Sequence, residues 1–456
     1  METNKNIKLT KLTQKMHEIE HEFTDKKISP WGGIKFFQKT YVTSGLQSYV
    51  KKLALPQPGS NRGYNPTELV EGFLTSVVLG SRRLEHTGML RMDEVIQSIW
   101  GWEKGMASAS TFSRFFSKFD VDTNDKIFPG MMKFLLNLVP IKFHTIDIDS
   151  TVITRYGEQE EAVKGYNPAK RGRPSHHPLL AFCAELKMVA NAWMRSGDSH
   201  EVTDIELFLN ELFTIVEPQN IGLIRGDSGF YSNKIMSQLE SLNHPVPYIL
   251  RGKLTSKMQE QILDIKRWYH LNEHTYNISY AELEYQGSKW EKSRRVVIVR
   301  TVKKEAPTNK QLFKELEELD KYEYKCFVTN TKMSAIDVHK RYNERGDCEN
   351  RIKELKYDFG IEGFALKKFG AMEAAFRFVL VAYNVMAIFK QALLDKKGYK
   401  YLSTIRFQCI AIGSYLVRSA RKTKLLLAAT GERKHFLEHI FTNFERIKPP
   451  YSFSNA

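Results

Sequence analysis

The chain has 456 residues, more than one core of ordinary size holds, so two to four domains are expected. Apolar residues make up 42% and aromatic ones 12%, which excludes a disordered chain. Lys plus Arg exceed Asp plus Glu by 68 to 52, and the formal charge of +16 favours a polyanionic partner such as nucleic acid.

The N-terminal stretch METNKNIKLTKLTQKMHEIEHEF has mixed charge and no apolar core, so no signal peptide is expected in it. The first 125 residues read as helical, broken by the loop LPQPGSNRGYNP at 55–66. Within them, DEVIQSIWGWEKGMASASTFSRFFSKF reads as a helix, a Gly-containing turn and a Ser-capped second helix. That second helix offers Arg114 and Lys118 outward and Phe112, Phe115, Phe116 and Phe119 for packing, the outline of a helix-turn-helix reader of DNA or of an ordinary helical hairpin.

From residue 141 the periodicity becomes that of strands. KFHTIDIDSTVI alternates, and HPLLAFCAELKMVANAWMRSGD reads as two strands with a tight connection. TDIELFLNELFTIV reads as a helix opened by a T-x-x-E capping box at Thr203 and Glu206. IGLIRGD, SNKIMSQLESLN and PVPYILRG follow as strand, capped helix and strand. Three strands, a helix, a strand, a helix and a strand is the α/β order of a ribonuclease H-like core. Residues 252–330 interrupt it with strand-like pieces such as RRVVIVRTV and EYKCFVTNT.

The segment YNERGDCENRIKELK at 342–356 comes next. As one helix it places Tyr342, Arg345, Glu349, Lys353 and Lys356 on a single polar stripe, with Cys348, Ile352 and Leu355 beside it for docking. One acid within a phosphate-binding face suggests a metal ligand. Farther on, FVLVAYNVMAIF at 378–389 is too short to span a bilayer and reads as a buried helix. GSYLVRSARKTKLLLAA reads as part of a basic helical region whose Arg418, Arg421, Lys422 and Lys424 either track phosphates or form a solvated face. Cys183, Cys326, Cys348 and Cys409 show no C-x-x-C spacing, which argues against a zinc site and fits a reducing compartment.

Three acids fall on different elements: Asp149 on the first strand, Asp227 at the end of the fourth and Glu349 on the later helix. Phosphodiester chemistry with two divalent ions needs carboxylates converging from separate elements, and Mg²⁺ takes a few carboxylates plus phosphate and water. Asp147 is an alternative first acid, because strand periodicity puts it on the face of Asp149.

With these residues in place the chain resembles the DDE transposases of bacterial insertion sequences, in the group marked by Tyr-x2-Arg-x3-Glu-x6-Lys. It matches at Tyr342, Arg345, Glu349 and Lys356, and DIDSTV, GYNPAKRGRPSHHPLLAF and IRGDSGF look most like the insertion-sequence thirteen-eighty family. The resemblance implies that Asp149, Asp227 and Glu349 bind two Mg²⁺ ions, for which Mn²⁺ would substitute. It implies that Tyr342 and Arg345 contact phosphates near a transposon end and that Lys356 holds the strand, and favours Asp149 because the acid precedes a Ser-Thr pair. Lys353 joins them by its place on the stripe.

The implied organisation is a helical DNA-end-binding domain at 1–125, a ribonuclease H-like core at 140–251 and 331–395, a strand-rich insertion at 252–330 and a helical basic region at 396–456. In the insertion, Trp268 and Trp290 are candidates for stacking on a flipped base, or are core residues. KRGRP at 170–174, with Arg171 and Arg173, resembles an AT-hook core or is a basic surface loop. The implied activity is cut-and-paste transposition by a homodimer on terminal inverted repeats and target DNA, with a hairpin intermediate, in the cytoplasm at the nucleoid. A nuclease without strand transfer and a catalytically inert DNA-binding regulator are the rival readings.

Overall fold

The computed structural model describes residues 21–200, 203–273, 276–303, 321–394, 400–419 and 422–453, and its architecture is mixed α/β around one large sheet. Helices lead into that sheet. α1 (Pro66–Val78) begins at Asn65, whose side chain accepts from Thr67 N, with Pro66 in the first turn where a missing N–H costs nothing. α2 (Glu94–Trp100) is capped by Asp93, α3 (Ala109–Phe116) by Ser108 and α4 (Val121–Asn137) by Asp120, so the helix, turn and Ser-capped helix read from the sequence are present. The four phenylalanines of α3 and its C-terminal turn are buried, and the rings of Phe116 and Phe119 meet Phe378 at 6.2 and 6.0 Å.

Among the strands, β1 (Ile28–Ser29) pairs far along the chain, and β2 (His144–Ser150) opens the main sheet. β3 (Ile153–Thr154), β4 (Val163–Lys164) and β5 (Pro174–His176) form a small separate sheet. β6 (Leu179–Cys183) and β7 (Met188–Trp193) are a hairpin, followed by β8 (Ile221–Gly226) and β9 (Tyr248–Arg251). β10 (Tyr269–Glu273), β11 (Tyr276–Tyr285), β12 (Arg294–Val302) and β13 (Tyr322–Thr329) complete the order β10-β11-β12-β13-β9-β8-β2-β6-β7. β2, β8 and β9 run parallel, which requires crossovers. These are α5 (Ile205–Ile215) and α6 (Asn233–Ser241), giving the element succession expected for the first half of the core. The strand-rich stretch after β9 extends the same sheet antiparallel, through β13.

α7 (Ala335–Asn343) and α8 (Gly346–Tyr357) follow, then α9 (Phe369–Ile388), which is buried along nearly its whole length. Its polar groups are consumed inside the protein. Asn384 accepts from Val189 N and donates to Val189 O, both at 2.8 Å, closing part of the β7 edge as a strand would. Glu373 accepts from Asn124, Met194 N and Arg377. α9 is long and apolar enough to cross a membrane, but here it is the central helix of the core. Apolar side chains from Ile34 to Phe453 join it in one continuous cluster, so residues 34–139 share their core with the sheet.

Three expectations are corrected. The capping box at Thr203 and Glu206 does not form: Asp204 occupies the N-cap at φ +58 without a side-chain bond, and Glu206 is drawn outward by Lys234 at 2.8 Å. The stretch GSYLVRSARKTKLLLAA is the hairpin β14 (Ser414–Ser419) and β15 (Lys422–Leu427), paired with β1, rather than a helix. Period-two burial decides it, since Leu425 and Leu427 pack on the core while Lys424 and Leu426 face out. Arg418, Lys422 and Lys424 are exposed on this hairpin, Arg421 lies outside the described residues, and α10 (Gly431–Arg446) is the long helix of this region. Residues 342–356, third, are not one helix but the end of one, a joint at Glu344 and Arg345, and most of a second.

Candidate active site

β2 and β8 are parallel neighbours with Asp147 opposite Arg225 and Ile148 opposite Gly226. One rung farther, at the C-terminal ends of both strands, stand Asp149 and Asp227. Asp149 Oδ1 accepts from Ser150 N at 2.8 Å, and Asp227 caps the following turn, Ser228–Phe230, by accepting from Gly229 N at 2.9 Å. Both aspartates line a cavity of about 1770 Å³. Arg82, Arg83, Lys170, Lys253 and Lys356 stand on its walls, a setting that attracts phosphate.

The helix pair crosses this strand end. At the α7–α8 joint the backbone bonds tighten from four-residue to three-residue steps: Arg345 N donates to Tyr342 O and Cys348 N to Arg345 O. The joint divides the expected stripe. Tyr342 turns its ring onto Phe327, 4.7 Å away, and burial raises its phenol pKa. Arg345 is buried, with Nη2 donating to Ile148 O at 3.1 Å and forming an ion pair with Asp149 Oδ2 at 3.0 Å. Glu349 and Lys353 are exposed, and Lys356 lies at the cavity wall with Nζ donating to Val152 O and Glu362, both at 3.0 Å. Cys348 and Leu355 form the docking face as expected, with Cys348 Sγ 3.9 Å from Asp149 Oδ2.

Burial pushes the Asp149 carboxyl up to about 6; Arg345 works against this, and the charges of Asp227 and Glu349 add to it. Burial is the larger cause, and the neighbouring acids act in the same direction. All three donors are carboxylates, which suit a hard divalent cation that keeps several waters. Asp149 and Asp227 fit such an ion. Glu349 acts on Asp149 through its charge, and among the described residues no group of three or more His, Cys, Asp or Glu side chains stands close enough to hold a metal ion.

Asp147, the alternative first acid, is sealed: it is 2% exposed and both its oxygens accept from Arg225, at 2.6 and 2.9 Å. Arg114 is exposed with Nη2 on Thr111 Oγ1 at 3.3 Å, and Lys118 reaches Gln57 O. Ser110 and Ser113 of the same helix α3 line the cavity that holds the aspartates. Arg171 and Arg173 are exposed in the loop before β5, and Arg173 sits over the Tyr156 ring at 5.8 Å. Trp268 lies under Arg300 at 3.9 Å, while Trp290 is held edge-on by Tyr231 and Tyr285, so each ring is half-buried and engaged.

Sequence reasoning missed Arg82, Arg83 and Lys253. Their signal is faint, a pair of arginines in SRRLEH and one lysine after β9. What brings Arg82 to the site is the end of α8, where Gly360 at φ +64 turns the chain so closely that a Cβ there would stand 2.8 Å from Arg82 Cγ. Arg82 O then accepts from Phe364 N at 2.9 Å.

The family model described as Transposase DDE domain group 1 matches residues 11–449. The chain belongs to that family. No curated protein matches it. Among solved structures, this transposase is similar to the piggyBac transposase in a synaptic complex with hairpin DNA, at 11% identity and a TM-score of 0.41, covering 91% of this chain and 80% of that one. It is also similar to the Drosophila P element transposase in a strand transfer complex, at 12% identity and a TM-score of 0.24, covering 58% of this chain and 52% of that one.

Proposed function

We propose that this transposase moves its own element by cutting and pasting: it binds terminal inverted repeats, hydrolyses the phosphodiester at each end and joins the freed 3′ ends to target DNA. The observation that carries the reading is the placement of Asp149 and Asp227 at the ends of adjacent parallel strands, on one cavity with cationic walls. Strands β7-β6-β2-β8-β9 are read as the ribonuclease H-like core, because their order and directions bring acids from separated segments to one edge. The Tyr342, Arg345, Glu349 and Lys356 signature supports the bacterial insertion-sequence group and its thirteen-eighty family.

In this reading Asp149, Asp227 and Glu349 hold divalent ions, Mg²⁺ or Mn²⁺, which when bound supply Lewis acidity toward the phosphate. The chain's own residues do the positioning. Arg345 balances Asp149 before DNA arrives, and an incoming phosphate competes for its guanidinium. Lys356, Arg82, Arg83 and Lys253 hold the backbone along the cavity, and helix α3 brings its polar face to the same DNA segment. A hairpin intermediate, a homodimeric synaptic complex and a place at the nucleoid in the cytoplasm complete the proposal.

The test uses a labelled DNA end carrying the inverted repeat found beside the gene, incubated with Mg²⁺ and a target plasmid and resolved on a denaturing gel. Nicked, hairpin and joined products in succession are expected. Cleavage without joining would assign a nuclease, and specific binding without cleavage a regulator.

A further inference from the structure

The buried pair Asp147–Arg225 lies two rungs of β2 and β8 below Asp149 and Asp227, about 6.6 Å away along the strands, with Ile148 and Gly226 between. Arg225 is 1% exposed. Its Nε and Nη2 hold Asp147, and its Nη1 donates to Arg341 O and stands 3.3 Å from Glu344 Oε2. In an unbroken helix Arg341 O would accept from Arg345 N, but that N–H is spent on Tyr342 O, and the guanidinium takes the carbonyl in its place. Arg225 thus ties together β2, β8 and the α7–α8 joint, which carry Asp149 and lead directly into Asp227 and into the helix of Glu349.

Stability alone gives little reason for such an arrangement, since a buried ion pair can commonly be replaced by apolar groups at no loss. Geometry gives a better one. A guanidinium donates in fixed directions, so it sets the register of two strands and the pivot of a helix at once. Glu349 follows that pivot by one turn of α8, and it is the acid that does not line the cavity.

We propose that Asp147 and Arg225 are positioning residues: they touch no DNA, and they fix the α7–α8 joint so that Glu349 can complete the metal site with Asp149 and Asp227. The inference rests on the metal-dependent reading above. Its test is Mn²⁺ binding to the full-length, DNA-free protein, followed by the loss of the free-ion paramagnetic resonance signal, alongside thermal unfolding. Three variants are compared: Arg225→Lys, which keeps the charge and loses the fork; Asp147→Asn; and the apolar double variant Asp147→Leu with Arg225→Met.

Each is expected to weaken Mn²⁺ binding by roughly 10- to 100-fold, the scale on which groups behind metal ligands act. The double variant is expected to unfold no earlier than Arg225→Lys. Wild-type Mn²⁺ affinity in any of the three that folds would overturn the assignment, whatever its melting temperature. Asp149→Asn separates the two levels. If wild-type protein binds Mn²⁺ and Asp149→Asn abolishes this while the pair variants bind normally, only the positioning role falls. If wild-type protein binds no Mn²⁺ that Asp149→Asn removes, the metal-dependent reading falls and the inference with it.

Discussion

Asp147 and Asp149 lie two residues apart on one strand, face the same way and each meet an arginine, yet their surroundings differ. Asp147 has a bidentate partner from the neighbouring strand, with side-chain exposures of 2% and 1% for the pair. Asp149 has a single contact to Arg345 from a helix, with 13% and 7%, and opens on the cavity. The difference lies in what stands at the next rung. Below, Arg225 satisfies both oxygens of Asp147. Above, a second acid, Asp227, stands at the end of β8 on the same cavity, and on the proposed reading this is the rung that accepts a cation.

The comparison is broken most severely by truncating the sealed arginine. Arg225→Ala leaves Asp147 buried without its partner and is expected to cost about 3–5 kcal/mol of stability, read from urea unfolding. Arg345→Ala should cost clearly less, because Asp149 can protonate near neutral pH or reach water through the cavity. Equal losses would mean that both rungs are structural.

Neutralising the open rung has the opposite profile. Asp149→Asn, Asp227→Asn and Glu349→Gln are each expected to lower cleavage by about 10²–10³-fold while end binding and folding persist, the scale of losing one aimed charge in an active site. Raising Mg²⁺ should restore cleavage to Asp147→Asn but not to Asp149→Asn. Cleavage by Asp149→Asn together with its lasting loss in Asp147→Asn would exchange the roles of the two acids.

A second sealed polar contact, His176 behind the cavity-lining Arg155, extends the contrast to pH. His176 has no exposure; its Nδ1 accepts from Arg155 Nε at 3.0 Å and its Nε2 donates to Glu160 O at 3.0 Å. Burial pushes its pKa down to about 4. Between that value and the ordinary 6.5 the unfolded chain takes up a proton that the folded one refuses, so stability is complete above pH 6.5 and falls with acidification. The expected loss by pH 4 is about 3 kcal/mol. His176→Gln keeps an acceptor for Arg155, and melting curves at pH 7 and 5 should show a shallower acid slope than wild type. An unchanged slope would place the acid sensitivity elsewhere.

Why the sequence separated some of this and not the rest follows from range. The strand succession, the Ser108 cap and the buried α9 were legible, because each is written in local periodicity or a single capping residue. Periodicity alone did not separate Asp147 from Asp149, since period two assigns them the same face; the resemblance favoured Asp149 through its Ser-Thr pair, and the physical difference comes from a residue 78 positions from Asp147, Arg225. The helix joint at Glu344 and Arg345 escaped for the same reason, both residues being compatible with a continuous helix until distant strands claim Arg345 and the carbonyl of Arg341. The hairpin at 414–427 was not legible, because Leu425, Leu426 and Leu427 alternate only in burial and not in sequence, and a run of leucines and lysines favours helix by propensity.

The gentlest perturbation acts on the outermost part of the open side, helix α3. Its phenylalanines hold it to α9 through Phe116 and Phe378, while Ser110 and Ser113 face the cavity and Arg114 is exposed beside them. On the proposed reading, a helix fixed in this way to the core meets DNA at a set distance from the aspartates, so recognition and cleavage are expected to share one register. Arg114→Ala is expected to weaken binding to the cognate end by about 1–3 kcal/mol if the guanidinium meets a base edge, with the loss confined to one or two positions of the repeat. If it meets only phosphate, cognate and scrambled ends should weaken alike and the salt dependence of binding should flatten by about one unit. Competition binding at two salt concentrations separates these outcomes, and full affinity and specificity in Arg114→Ala would remove α3 from the DNA interface.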